Sequence, residues 1–210
     1  MYRPPKSIET DRATLFAMMR KIGAATLVTP TPEGILATQV PMLVREAEDG
    51  TVVLAAHVAR GNPHWRVAAA SPSLAIFQGP QAYMSPRWYP TKEETGKVVP
   101  TWLYVSIHAH GRLAAITDGA WINSQIDELT NTHEAAETAP WKVSDAPDSY
   151  IASMSRGIVG LEFSVDRLEG TWKLNEEESL ADVHGTQRGL AKGAPPAQEL
   201  AQELTRRISE

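Results

Sequence analysis

Two short turns divide the first part of the chain into strand-like segments. Residues 25–29 lead into a Pro- and Gly-containing turn at 30–34, and residues 35–44 lead into the turn Glu48-Asp-Gly50, after which residues 51–56 form the next strand-like segment. Turns of this composition join antiparallel strands. Because proline cannot donate to a β-ladder, Pro41 predicts a bulge, an edge or a ligand-facing break within the second segment. The pattern predicts an antiparallel meander of three strands.

Further along the chain, apolar residues again follow the spacing of strands. Residues 73–77, continued by 82–84, residues 101–116 and the alternating residues 157–172 each predict a strand. Helices are predicted from Thr10 to a stop at Gly23, over residues 61–70, from Asp118, over residues 149–154 and over residues 197–208. About seven strands with short helices predict a mainly β fold with peripheral helices, as in a closed or half-closed barrel. We assign residues 1–174 to this domain and residues 175–210 to an acidic, Ala-rich helical extension.

Composition excludes several classes of function. The chain has 210 residues, a formal net charge of -5 and no cysteine. The charge argues against broad electrostatic attraction to DNA or anionic membrane, and the absence of cysteine excludes disulfides, thiolate nucleophiles and cysteine-ligated metals. No signal peptide is recognisable and no apolar run reaches the ~20 residues of a membrane span. We expect a cytoplasmic protein.

The segment from Tyr83 to His110 combines aromatic residues, prolines, two lysines and two histidines. Aromatic rings beside Lys92 and Lys97 suit a flat anionic ligand that stacks on the rings while its charge meets the lysines. The alternative is a long loop whose aromatic residues cover a sheet. His108 and His110 share one face of the predicted strand, but no third metal ligand follows from spacing, so we expect no resident metal.

The segment from His57 to Trp65 follows a predicted strand and opens a predicted helix, with Asn62 as its cap. Backbone N–H groups at such a turn can bind an anion, and Arg60 beside them can bind phosphate with its planar guanidinium. The alternative is an ordinary turn with a solvated arginine. The chain contains no Walker loop, no GxGxxG, no GxSxG elbow and no recognisable helix-turn-helix.

Several segments, in order, resemble the PaiB family of FMN-binding negative transcriptional regulators. The resemblance covers residues 1 to about 174. The segments that carry it are Met1-Tyr-Arg-Pro-Pro, Ala37-Thr-Gln-Val-Pro-Met, His57-Val-Ala-Arg-Gly-Asn-Pro-His-Trp, Tyr83-Met-Ser-Pro-Arg-Trp-Tyr, Val99-Pro-Thr-Trp-Leu-Tyr, Thr130-Asn-Thr-His-Glu and Ile158-Val-Gly-Leu-Glu-Phe.

The resemblance implies an FMN-binding split β-barrel, similar to pyridoxamine-phosphate oxidases, that binds FMN as a homodimer. It implies that Arg60 binds the FMN phosphate at the turn that begins with His57 and includes Asn62. It places the strand containing Thr38, Gln39 and Pro41 along the isoalloxazine. The residues that would close the pocket are Lys92, Lys97, Trp102, His108 and His110.

The chain departs from the family pattern at three places. Gln39 stands where the family usually has His, Leu103 stands where it has Asn, and Glu176, Glu177 and Glu178 reverse the charge of a usually basic segment. Four functions stay open: an FMN-dependent regulator that contacts DNA or senses metabolism, a flavin oxidoreductase using NAD(P)H, a haem-binding split barrel with His108 or His110 as axial ligand, and a dimer with an empty pocket.

Overall fold

The chain forms two compact units in the computed structural model, which describes residues 1–68 and 72–208. Unit 1 comprises Met1–Met18, Gln78–Ile107 and Glu169–Glu210, and unit 2 comprises Met19–Phe77 and His108–Leu168. Unit 1 therefore includes the acidic tail together with earlier parts of the chain. The domain boundary between residues 174 and 175 stays a prediction.

The described residues form one mainly antiparallel sheet and six α-helices. The strands are β1 (Ile8–Glu9), β2 (Ala24–Thr31), β3 (Gly34–Pro41), β4 (Leu43–Glu46), β5 (Val52–Ala59), β6 (Ser73–Met84), β7 (Thr101–Ile116) and β8 (Ile158–Lys173). The helices are α1 (Arg12–Ile22), α2 (Thr91–Thr95), α3 (Gly119–Glu134), α4 (Asp148–Arg156), α5 (Leu180–Leu190) and α6 (Pro195–Ile208). Four short 3-10 helices complete the set: Pro5–Ser7, Pro63–Arg66, Pro86–Trp88 and Val143–Asp145. None of these helices combines the length and apolar character that a membrane crossing requires.

The sheet order is β3-β2-β6-β7-β8-β5-β4, with β1 paired to β8. The predicted hairpins β2–β3 and β4–β5 are confirmed. The predicted three-strand meander is wrong, because β3 and β4 stand at opposite ends of this order. Strand β3 ends at Pro41, as predicted, because proline has no N–H group to donate to the ladder. Strand β5 then pairs with β8, from Val52 opposite Val165 to Ala59 opposite Ile158, a long-range pairing that no local pattern indicates.

Local hydrogen bonds explain where the helices begin and end. Helix α1 is capped by Asp11, whose Oδ2 accepts from the Thr14 N–H at 2.8 Å, and it ends at Gly23 with a φ of 72°. Asp118 caps α3 by accepting from the Trp121 N–H at 2.7 Å. The helix predicted over residues 61–70 is a 3-10 helix of four residues, Pro63–Arg66. Residues 69 and 70 lie outside the described residues.

Each unit has its own buried apolar core. Burial of these side chains provides the main stabilisation of the fold. In unit 1 the largest buried side chains are Met84, Leu103, Ile107, Trp172 and Leu174; in unit 2 they are Met19, Leu27, Leu54, Phe77, Leu113, Leu161 and Phe163.

The acidic segment after β8 packs the tail within unit 1. Glu176 Oε1 accepts from Arg207 Nη1 of α6 at 3.4 Å, and the same guanidinium forms a second ion pair with Glu9. Burial raises the pKa of the Glu176 carboxyl. Glu177 and Glu178 are exposed and precede α5. This helix lies within the predicted helical extension, of which only the terminal helix was predicted with definite bounds. Glu176, one of the three acidic residues that stand where the family has a basic segment, thus forms an ion pair within unit 1.

Candidate flavin site

Strand β3 presents its predicted site residues on opposite faces. Gln39 and Pro41 are exposed, whereas the preceding residue, Thr38, is half-buried on the other face, because successive side chains of a strand alternate. The Oε1 of Gln39 accepts from Thr26 Oγ1 of β2 at 2.8 Å. A ligand along the exposed face of β3 would therefore meet Gln39 and Pro41, and would meet Thr38 only at its backbone.

The side chain of Thr38 belongs to a chain of hydrogen bonds centred on His64. His64 is fully buried; its Nδ1 lies 2.9 Å from Thr38 Oγ1 and its Nε2 lies 2.9 Å from Thr29 Oγ1. Thr29 is in turn 2.7 Å from Ser73 Oγ. Burial lowers the pKa of His64, which favours the neutral imidazole, with one ring nitrogen donating and the other accepting. His64 ties the 3-10 helix Pro63–Arg66 to β2 and β3.

Asn62 fixes the same turn from its other side. Its Oδ1 accepts from the His64 N–H at 2.9 Å, which confirms the predicted cap, and its Nδ2 lies 3.5 Å from Thr38 Oγ1. The structure therefore brings Thr38 and Asn62 together. The sequence analysis did not identify Thr29, His64 and Ser73. The signal that could have indicated His64 is the sequence Asn-Pro-His, because a histidine just after a capping asparagine can direct its side chain back from the turn.

The guanidinium of Arg60 lies at the end of β5. Its Nε donates to the carbonyl of Arg156 at 2.9 Å and its Nη2 donates to that of Ile158 at 3.1 Å, so it caps the end of α4. Nη1 makes no hydrogen bond within the described part of the chain. Arg60 is exposed and keeps one donor-bearing nitrogen for an anion.

His57 and the two histidines of β7 also lie in unit 2. The Nδ1 of His57 is 2.7 Å from Oε1 of Gln125 on α3. Gln125 is fully buried, and its Nε2 has no hydrogen-bond partner among the described residues. His108 and His110 are half-buried, share one face of β7 as predicted, and have ring centroids 6.4 Å apart.

Unit 1 holds the remaining predicted site residues. Lys92 lies on α2 and pairs with Glu93 at 2.9 Å, and Lys97 is exposed just beyond that helix. Trp102 on β7 is 49% exposed, and its Nε1 donates to Gln81 Oε1 on β6 at 3.1 Å.

The aromatic segment of unit 1 divides into two groups. Trp88 lies against α5, since a Cβ placed on Gly189 would come within 2.1 Å of its ring. Tyr89 is buried, and its hydroxyl accepts from Asn175 Nδ2 at 3.3 Å. These two rings pack against other parts of unit 1. The alternative predicted that the aromatic residues cover a sheet, whereas Trp88 packs against a helix. The second group consists of Tyr83 and Trp102, whose side chains are exposed.

Residues 1–167 match the family model described as "Putative FMN-binding domain". The chain belongs to this FMN-binding family. The match covers most of the chain, so FMN is the cofactor of this protein.

Individual relatives agree with this assignment, and the first of them confirms the expected relationship to PaiB. The chain is 26% identical over 183 residues to protease synthase and sporulation protein PAI 2 of Bacillus subtilis, covering 87% of this chain and 85% of that protein. It is 32% identical over 175 residues to an uncharacterised protein of Emericella nidulans, covering 69% and 70%. Among solved structures, the FAD and heme binding protein of Mycobacterium smegmatis aligns with a TM-score of 0.58 at 16% identity, covering 80% and 73%. The expected split-barrel fold class is confirmed.

Two groups in the described residues of unit 2 have the chemistry that the phosphate and the ring system of a flavin mononucleotide require. Arg60 Nη1 is a cationic donor for a phosphate. The exposed face of β3 presents Ile35, Ala37, Gln39 and Pro41, which together form a flat, partly apolar surface with one amide. Such a surface suits a planar ring system that carries hydrogen-bonding edges.

Proposed function

We propose that this protein is an FMN-binding homodimer of the PaiB type, acting as a negative regulator whose state follows flavin occupancy. The observation that supports a dimer is the exposed face of β3. This strand ends the sheet order, and Ile35 on it is 78% exposed. An exposed apolar edge strand is normally covered, and a second copy of the same face would cover it symmetrically.

Within this proposal, Gln39 and Pro41 contact the isoalloxazine and Arg60 contacts the phosphate. Thr38, Asn62 and His64 hold the turn that carries Arg60. The positions of Lys92, Lys97, Trp102, His57, His108 and His110 in the pocket stay predictions from the family resemblance. Bound FMN supplies electron or hydride transfer at its isoalloxazine.

The regulatory part of the proposal rests on the relationship to a sporulation protein of Bacillus subtilis. Because the net charge of the chain is -5, we expect any contact with DNA to depend on a local basic surface. A chain without cysteine suits the reducing cytoplasm, where we propose that it acts.

Sedimentation velocity with and without FMN tests the dimer. We expect the protein to sediment as a dimer that carries flavin absorbance, and Ile35→Glu to sediment as a monomer with weakened FMN binding. The matched control is Glu33→Gln in the same hairpin, which should behave as wild type. A wild-type monomer that retains FMN would contradict the dimer.

Two assays separate the regulator from its alternatives. Flavin-dependent DNA binding that weakens steeply with salt supports the regulator, whereas steady NADH or NADPH oxidation without DNA binding identifies an oxidoreductase. A Soret band after haem addition, lost in His108→Ala or His110→Ala, identifies the haem alternative, for which the half-buried pair on β7 offers the ligands.

A further inference from the structure

Unit 2 contains a cleft of about 600 Å³ between α3 and α4. Ser155 Oγ of α4 donates to Asn123 Oδ1 of α3 at 3.1 Å, and this contact marks one end of the cleft. Arg60 crosses the same end, because its guanidinium is bound to the carbonyls of Arg156 and Ile158. The other lining residues are Thr117, Gly119, Ile122, Ile126, Asp127, Val143, Ser144, Asp148, Ile151 and Ala152.

The charges that line this cleft are segregated by sign. Arg60 and Arg156 lie at the end of α4, whereas Asp148 is its first residue. At 1.5 Å per residue, the backbones of Asp148 and Arg156 are about 12 Å apart along the helix. On α3, Asp127 lies one turn beyond Asn123, about 6 Å from it along the helix. The cleft thus has a guanidinium end and a carboxylate end.

Between the charged ends the lining is apolar. Ile122 is buried and Ile126 and Ile151 are half-buried. Within residues 1–68 and 72–208, no ion pair engages the side chains of Asp127, Asp148 or Arg156. Concave sites that pair an apolar lining with a few polar groups are typical of small-molecule binding.

We propose that this cleft binds a small zwitterionic molecule, with an amine and a carboxylate joined by a short apolar chain. The carboxylate would meet Arg156 beside Arg60, the amine would meet Asp127 and Asp148, and the chain would cover the isoleucines. Charge complementarity favours this class over a flavin, because FMN is anionic and offers no cation to the carboxylate end. The cleft shares Arg60 with the proposed phosphate contact, so its recognition of the two charges depends on Arg156, Asp127 and Asp148.

Isothermal titration of the full-length protein with 6-aminohexanoate tests the proposal, with hexanoate and hexylamine as probes that each keep one charge. We expect 6-aminohexanoate to bind at least about tenfold more tightly than either half-probe, since only it satisfies both ends. Asp148→Asn and Arg156→Gln should each weaken its binding about tenfold, and the former should leave hexanoate binding unchanged.

Two variants outside the cleft serve as controls. Asp166→Asn on β8 and Arg112→Gln on β7 each remove one exposed charge of the same unit, and both should bind 6-aminohexanoate like the wild type. Circular dichroism confirms that every variant is folded. Absence of binding, equal affinity for the half-probes, or equal losses in the control and cleft variants would overturn the proposal.

Discussion

The Nδ1 of His64 and the hydroxyl of Thr38 lie 2.9 Å apart, joining the turn after β5 to the half-buried face of β3. The same imidazole reaches Thr29 on β2, so one buried side chain connects the turn that carries Arg60 to two strands. This relationship separates residues that hold the turn from residues that we propose to touch the flavin.

Replacing His64 by alanine should destabilise the protein by about 2–4 kcal/mol, because it removes two hydrogen bonds made by a buried side chain and opens a cavity. Urea unfolding measures the change in free energy. Glu33→Gln, an exposed substitution in the β2–β3 hairpin, should change it by less than about 0.5 kcal/mol. Equal stability of His64→Ala and wild type would show that the hydrogen-bonded chain contributes nothing.

Stability should also depend on pH through His64. Burial lowers its pKa in the folded protein below the value of 6.5 that it has when unfolded, so the unfolded state binds the proton more readily. The contribution of neutral His64 is present above pH 6.5 and is lost as the pH falls from there towards the lowered pKa. Urea midpoints from pH 8 to 5 should fall less for His64→Gln than for wild type; parallel curves would contradict this assignment.

Thr38 and Gln39 should respond to substitution in opposite ways. Thr38→Val removes a partner of His64 and should cost about 1 kcal/mol of stability with little effect on FMN affinity. Gln39→Ala should leave stability nearly unchanged and weaken FMN binding, since its amide lies on the exposed face. Fluorescence titration with FMN and urea unfolding of both variants test the pair. If Thr38→Val lost FMN binding at unchanged stability, Thr38 would contact the flavin and would not serve to hold the turn.

Arg60→Ala should weaken FMN binding by about 1.5–3 kcal/mol, tenfold to roughly a hundredfold, through loss of a charge-assisted bond to phosphate. Riboflavin, which lacks the phosphate, is the matched ligand, and its affinity should change little. Arg66→Ala, on the 3-10 helix of the same turn, is the control variant. Equal losses for FMN and riboflavin would mean that Arg60 acts only by capping α4, and an unchanged FMN affinity would remove it from the site.

The sequence predicts those elements whose pattern is local. Residues 101–116 form β7 as predicted because the run is long and apolar, and Pro41 ends β3 because it cannot donate to a ladder. The order of β3 and β4 in the sheet was not predictable, since the pairing of β5 with β8 joins residues about a hundred positions apart. The bounds of α5 within the predicted helical extension were not predicted, because its sequence contains two glycines, Gly185 and Gly189, which fit against Trp88.

The candidate site was predictable only in part. Asn62 was recognised as a cap because Asn followed by Pro is a local signal. The contacts of His64 with Thr29 and Thr38 need the packed sheet, and the opposite faces of Thr38 and Gln39 need the register of β3. The use of Glu176 in an ion pair with Arg207 depends on where α6 packs within unit 1.

The measurement that tests the central claim most directly is the visible absorbance spectrum of the purified protein, before and after addition of FMN, followed through gel filtration. We predict a flavin spectrum that elutes with the protein at the mass of a dimer. Failure to retain flavin, or a Soret band after haem addition in its place, would contradict the account.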